Sequence, residues 1–476
     1  MRKHAHAMVV AIVVPLTLTA CMSMAPRYER PAPPVADTWP SGAAYAPSQG
    51  SELTAAEIPW REFIKDDKLR QVIDQALANN RDLRITLANI QSARAQYRIQ
   101  RSDLSPKVNG DVSATRSKSL SAASAASGNP VESEFYTASV GLSAFEIDLF
   151  GRVRSLSNAA LESYLATAEA GRATRISLIA ETASAYLTLA ADNSQLLLSR
   201  RTLQSAQRSM DVTRKRLEAG VASRLDVRQA ETIYQQARAD LATTTAFIAQ
   251  DRNALELLAG SHIPDALLPV ELPTDQVWLA DVPAGLSSSV LLERPDVLQA
   301  EHQLKSANAN IGAARAAFFP QLSLTASTGL ASTELSNLFS DGASIWSVGP
   351  SLVLPIFNAG ANVANLDYAR AQRELYLSQY ELAIQTAFRE VADALATRGT
   401  IQEQLDAQAA LVDAAADSYQ LAEARYTKGV DTFLNALDAQ RTLYNAEKSL
   451  VSARLTANAN VVTLYRVLGG GLADAE

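Results

Sequence analysis

The sequence predicts a mainly α-helical fold that carries a membrane β-barrel and is built from two copies of one structural unit. Three observations predict it. Residues around Gly220 and Gly429 match at a constant offset of 209: Val221 with Val430, Leu225 with Leu434, Ala230 with Ala439, Ala237 with Ala446 and Gly260 with Gly469. A repeat of that length means that a whole unit was duplicated. Helical periodicity runs for many turns on both sides of each glycine, and four runs of strict alternation interrupt it at matched places.

The helices come in two lengths. Gly151 to Leu217 reads as one helix, about 100 Å long at 1.5 Å per residue. Leu189, Leu196, Leu203, Met210 and Leu217 recur every seven residues, and Leu405, Val412, Tyr419 and Tyr426 continue the register in the second copy. Sustained heptads predict left-handed coiled-coil packing. Gly220 and Gly429 then mark tight reversals, since glycine takes left-handed backbone angles at little cost. The return helices are half as long. A helix from Asp66 to about Asp103, with Leu69, Ile73, Leu77, Leu83, Leu87 and Ile90 at helical spacing, supplies the other half, and Val290 to Phe318 does so in the second copy.

The alternating runs predict two hairpins. Val108, Gly110, Val112 and Ala114 oppose Asn109, Asp111, Ser113 and Thr115; Tyr136, Ala138, Val140, Leu142 and Ala144 oppose Thr137, Ser139, Gly141 and Ser143. In the second copy Leu322, Leu324 and Ala326 oppose Ser323, Thr325 and Ser327, and Trp346, Val348 and Leu352 oppose Ser347, Gly349 and Ser351. About ten residues is the length a tilted strand needs to cross a bilayer. The polar side carries small residues rather than lysine and glutamate, which suits a wet lumen better than open solvent. Four strands cannot close a barrel alone, and an open edge in lipid leaves backbone groups unsatisfied. Three chains would give a 12-stranded barrel on a 12-column α-helical tunnel, so a homotrimer is expected.

The resulting map is a signal peptide over 1–20 and an N-terminal arm over 21–65, lipidated and packed on an equatorial belt. The first repeat occupies 66–260, with strands at 107–117 and 135–147, long helix 151–218, tip 219–224 and return helix 225–258. A linker at 261–289 leads to the second repeat at 290–468, with strands at 321–330 and 345–355, long helix 361–428, tip 429–433 and return helix 434–467. A tail at 469–476 ends the chain.

Arg2 and Lys3 precede an apolar run from Met8 to Ala20, too short to span a bilayer and proportioned as a secretory segment. Leu18-Thr19-Ala20-Cys21 resembles a bacterial lipobox, so Cys21, the only cysteine, is the expected lipid attachment site. Met22 after it, rather than aspartate, favours the outer membrane. The net charge of −7 becomes −9 once Arg2 and Lys3 are gone, which disfavours nucleic acid as a partner. With one cysteine and only His262 and His302 in the body of the chain, no metal and no cofactor beyond the acyl group are expected.

Gly285-Leu286-Ser287-Ser288, Leu292-Glu293-Arg294-Pro295-Asp296-Val297, Phe319-Pro320-Gln321-Leu322, Gly429-Val430-Asp431 and Leu437-Asp438-Ala439-Gln440, together with the repeats, resemble the TolC family of outer-membrane channels. The likeness is to its OprM-like lipoprotein branch and spans residues 21 to about 470. It implies a trimeric exit duct for drugs and other small toxic compounds in a tripartite RND-type efflux system. The partners would be a periplasmic adaptor and an inner-membrane RND pump, with the body in the periplasm and the barrel in outer-membrane lipid. Carried over by position, the constriction falls on Leu434 and Asp438, with Asn435 where other members have a second aspartate. The links that hold the coils closed fall on Asp226 and Tyr426. The adaptor-contacting tips fall on Gly220, Val221, Ala222, Ser223, Arg224 and Leu225, and on Gly429, Val430, Asp431 and Thr432. TolC carries an arginine at the place of Asp431, leaving Arg224 or Arg425 as the available cation here.

Leu434 and Asp438 lie four apart and share a helix face. Threefold symmetry would make of them a leucine ring and a carboxylate ring. Like charges at close range repel, so protonation and bound cations are expected to modulate closure. An enzyme is disfavoured, with no Gly-x-Ser-x-Gly, P-loop, Cys–His pair or metal cluster in the sequence. An exit duct for type I protein secretion or for metal efflux is the alternative within the channel class. A lipid-anchored periplasmic coiled-coil scaffold would leave the four strands unexplained.

Overall fold

A computed structural model describes residues 23–45, 58–119, 131–273, 278–279 and 287–470; the signal segment, Cys21, Gly285, Leu286 and the tail beyond Gly470 lie outside them. The chain divides into two compact units. One comprises Met1–Ala32, Ile90–Thr167 and Gln299–Tyr380, the other Pro33–Asn89, Ala168–Leu298 and Glu381–Glu476.

The first unit holds the sheet. Strands β1 (Val108–Ser119), β2 (Val131–Ile147), β3 (Gln321–Ser332) and β4 (Ser344–Val353) pair antiparallel in the order β1-β2-β3-β4, so the central β2–β3 pairing joins the two repeats. Register places Val112 opposite Ala138 and Leu142 opposite Ala326, which is itself opposite Val348. One continuous apolar face results, with Val112, Val140, Trp346, Val348 and Leu352 exposed. The other face is stitched by hydroxyl pairs: Ser113 with Thr137 at 2.7 Å, Ser117 with Ser133 at 2.9 Å and Ser327 with Ser347 at 2.9 Å. Charge ends the apolar band, where Arg116 and Lys118 pair with Glu132. Ala144 was expected on the apolar face, but the register shifts between Leu142 and Phe145, and Ala144 takes a φ of 49°. Phe145 and Ile147 occupy the face instead, opposite Leu324 and Leu322. A β-bulge inserts one residue and reverses the alternation beyond it.

Helices are α1 (Trp60–Phe63), α2 (Asp67–Asn79), α3 (Arg81–Ser102), α4 (Arg152–Glu218), α5 (Arg224–Ala259), α6 (Pro295–Ala316), α7 (Ala361–Thr427) and α8 (Phe433–Val467). The two long helices, α4 and α7, have 67 residues each. Each follows a glycine in the left-handed region, Gly151 or Gly360, and precedes another, Gly220 or Gly429. All four have φ between 74° and 85°, angles that L side chains resist.

The expected single helix over 66–103 is two helices. Asn80 interrupts it at φ −56° and ψ 134°, its Oδ1 accepting from the Leu83 amide at 2.9 Å as the cap of α3. Its Nδ2 donates to Leu258 O at 2.9 Å, and a Cβ on Gly260 would lie 2.4 Å from Asn79 O. The break occurs where α5 ends against it and where the apolar spacing slips by six residues, from Leu77 to Leu83. The expected helix from Val290 is likewise divided, into a 3₁₀ segment at Ser288–Glu293 and α6. Pro295 starts α6 and holds Arg294 extended, at φ −65° and ψ 137°.

The second unit is cored by Trp60, Phe63, Ile64, Leu69, Ile73, Tyr186, Leu187, Leu255 and Tyr465. Irregular segments lie against its helices. Tyr465 stacks on Phe63 with centroids 3.9 Å apart and donates to Ile58 O. Tyr186 and Asn193 donate to Leu267 O and Pro269 O. Ser288 Oγ donates to Ala36 O. Buried Arg294 is held by Asp296, Glu390 and Val467 O. Of the N-terminal arm, residues Met24 to Arg30 lie along α6 in the first unit.

Candidate functional site at the hairpin tips

Both reversals follow from helix-terminus chemistry. At the first, Val221 N donates to Arg216 O at 2.8 Å and Gly220 N to Leu217 O at 2.9 Å, the Schellman pattern that a left-handed glycine permits. At the second, Val430 N donates to Arg425 O at 2.9 Å and Gly429 N to Tyr426 O at 3.0 Å. Gly220, Val221, Ser223, Arg224, Leu225, Gly429, Val430 and Thr432 are exposed, Ala222 and Asp431 partly so.

The return helices start differently. Ser223 and Asp226 form a capping box, in which Asp226 N donates to Ser223 Oγ at 3.1 Å and Ser223 N to Asp226 Oδ2 at 2.8 Å. Thr432 makes no such side-chain cap. Asp431 acts in its place: its Oδ1 accepts from Thr432 N and Asn435 Nδ2, both at 2.7 Å, and its Oδ2 from Arg425 Nε at 3.1 Å. These bonds, the Thr432 amide foremost and Arg425 next, hold the Asp431 carboxyl below its ordinary pKa. Arg425, not Arg224, is the cation that meets Asp431.

Tyr426 is buried with Met210, Ala230, Phe433 and Ala436. Its hydroxyl lies 3.3 Å from Thr213 Oγ1, the Arg216 guanidinium sits 4.5 Å from its ring centroid, and Arg216 Nη1 donates to its carbonyl at 3.0 Å. Within the chain, Asp226 and Tyr426 are therefore not brought together: Asp226 is engaged by Ser223, and Arg216 is the charged group on Tyr426. Arg216 was missed in the sequence, though it is the repeat mate of Arg425 at the 209 offset. Leu434 is 53% exposed, and Asp438 pairs with Arg441 on an open helix face. Asn435 belongs to the Asp431 cluster.

Above the tips, hydroxyl contacts cross the seam between the repeats. Ser205 Oγ lies 3.1 Å from Tyr419 Oη and Ser199 Oγ 3.4 Å from Tyr444 Oη, which also donates to Asp240 at 3.0 Å. The heptad tyrosines thus face hydroxyls rather than only leucines.

The family model for outer membrane efflux proteins matches residues 72–261 and 286–470, one match per repeat. The chain is 48% identical over 450 residues to the toluene efflux pump outer membrane protein TtgC of Pseudomonas putida, covering 94% of this chain and 92% of that protein. It is 45% identical over 471 residues to the outer membrane protein OprJ of Pseudomonas aeruginosa, covering 99% and 97%. The open-state outer-membrane channel MtrE of Neisseria gonorrhoeae superposes with a TM-score of 0.85 at 39% identity, over 95% of this chain and 99% of that one. A duplicated helical hairpin, a four-stranded sheet exposing an apolar face, and likeness over nearly the whole length point one way: this chain belongs to the outer membrane efflux protein family.

Proposed function

We propose that three copies of this chain form a passive exit duct through the outer membrane and periplasm, the outermost part of a tripartite RND-type efflux system and not an enzyme. The observation that carries the reading is the sheet. β1 and β4 are each paired on one side only, beside an exposed apolar face, while no helix among the described residues is long and apolar enough to cross a membrane. Unpaired edges are costly in lipid, and closure of three sheets edge to edge removes them as a barrel of twelve strands.

The tips Gly220–Leu225 and Gly429–Thr432 meet a periplasmic adaptor, and Leu434, Asn435 and Asp438 narrow the pore there. An acyl group on Cys21 adds a second hold on the membrane. Relatives named for toluene, solvent and antibiotic efflux support small apolar and amphipathic toxins as cargo. Light scattering of the purified protein in detergent tests the assembly: a mass of three chains is expected, and a stable folded single chain would sink the duct. In planar bilayers, joint replacement of Leu434 and Asp438 by alanine is expected to raise closed-state conductance. Deletion scored against antibiotics, dyes, solvents and metals identifies the cargo.

A further inference from the structure

One face of α6 is occupied by the chain's own N-terminal arm. Glu301, Asn308, Gly312 and Arg315 follow one another along that face at helical spacing. The arm meets them in reverse order. Arg315 Nη1 donates to Met24 O at 3.2 Å and Asn308 Nδ2 to Pro26 O at 2.8 Å. Between them Gly312 has no room for a side chain, because a Cβ there would lie 2.6 Å from Ala25 N. At the far end Glu301, only 2% exposed, accepts from Tyr28 Oη at 3.0 Å and from Arg30 Nε and Nη2 at 2.9 and 2.7 Å. Lys305 Nζ reaches the same carboxylate at 3.2 Å.

The lengths agree. From Glu301 to Arg315 the helix rises about 21 Å. The six steps from Met24 to Arg30 span about 20 Å when extended. Apart from a bend at Ala25, the arm runs extended along the helix with no loop to take up.

We propose that Tyr28, Arg30 and Glu301 form a clamp that makes the arm a tether without slack, fixing the level at which the N-terminal anchor enters lipid. The proposal rests on the reading that Cys21 is acylated. Three backbone steps lead from Cys21 to Met24, a reach of about 11 Å, and Arg315 stands six residues before β3 begins at Gln321. A clamped anchor is thereby kept near the foot of the strands. Once the arm lifts from α6 altogether, the next hydrogen bond to it among the described residues is from Ser288 to Ala36 O, and the leash lengthens to about 50 Å. The charge is what makes the clamp firm. Burial works against the Glu301 carboxylate, yet the Arg30 fork, Lys305 and Tyr28 hold its pKa below the ordinary value, so it stays ionised at neutral pH. Removing Arg30 strands a buried charge beside a single lysine.

Trypsin reports the clamp, because it cuts after Arg27, whose side chain is exposed while its backbone is held between the Pro26 and Tyr28 contacts. Cutting there requires the arm to lift. Full-length protein extracted in detergent, where the arm is open to the protease, would be digested and the released N-terminal peptide weighed by mass spectrometry. Arg30→Ala and Glu301→Gln are expected to speed cleavage by about tenfold or more. Gly312→Ala, which disturbs the opposite end, should do the same, with assembly of each variant checked on unheated gels. Equal rates in wild type and all three variants would overturn the clamp. Faster cleavage in the variants with an unacylated peptide throughout would instead overturn the anchor reading, and the tether with it.

Discussion

The two hairpin tips are copies that have parted in chemistry. Ser223 and Asp226 correspond to Thr432 and Asn435, so the reciprocal cap of the first tip is lost in the second when its carboxylate becomes an amide. Asp431, which stands where the first tip has Ala222, restores an acceptor for the helix start and also draws in Arg425 from the long helix. Leu217, half-buried, corresponds to buried Tyr426. The first tip is held by local bonds within one turn. The second ties two helices together and seats an aromatic ring against the neighbouring repeat. Duplication kept the backbone device, a left-handed glycine, and let the side-chain support diverge.

Substitutions can break or sharpen that contrast. Tyr426→Ala empties the cluster with Met210 and Phe433 and is expected to cost about 3 kcal/mol, against about 1 kcal/mol for Leu217→Ala. Hydrogen exchange at the two tips measures both. A second difference between the repeats lies higher. Asp192 on α4 has its pKa pushed up to about 6 by burial and by nearby Asp251, whose Oδ2 is buried without a donor among the described residues. The corresponding positions in the second repeat are Ile401 and Asn460, both buried. A pKa raised in the folded state above the usual 3.8 stabilises in acid, and that contribution is lost as pH rises through about 6. Asp192→Asn is therefore expected to stabilise by on the order of 1–2 kcal/mol at pH 8 and to change little at pH 4, as thermal melts of the purified protein would register.

Smaller effects follow at the caps. Ser223→Ala removes half of a capping box and is expected to cost about 1 kcal/mol, read as faster exchange at the start of α5. Thr432→Ala removes no side-chain cap and should leave the start of α8 nearly unchanged. Asp431, with its lowered pKa, supports its turn above the ordinary carboxylate range and releases it as pH falls through the folded value. Protection of the Thr432 amide should fade in acid in wild type and be weak at every pH in Asp431→Ala.

The fold class was legible because its two signals are long. Heptads over Leu189 to Leu217 and alternation in four matched runs survive errors at single positions. What was hidden depended on neighbours. Leu69, Ile73 and Leu77 keep one helical phase and Leu83, Leu87 and Ile90 another, with a six-residue step across Asn80 that is easily passed over; the end of α5 shows why the chain stops there. The bulge at Ala144 leaves the composition of β2 unchanged while exchanging its faces. Pro295 carried the signal for the divided start of α6, yet the expected helix from Val290 ran through it. At the tips the turns were readable from Gly220 and Gly429. The contact of Arg216 with Tyr426 was not, since it needs the knowledge that the ends of α4 and α7 meet.

The fixed offset between the left-handed glycines carries a last consequence for anything that grips a ring of three such chains. By backbone outline the rim offers six hairpin ends of nearly one form. By side-chain character it alternates, three ends with Ser223 and Asp226 and three with Asp431 and Arg425. In the proposed trimer, a ligand protein that senses contour alone could settle in any of six orientations, whereas one that senses charge would have only three, so the divergence of the two copies would set the register of docking.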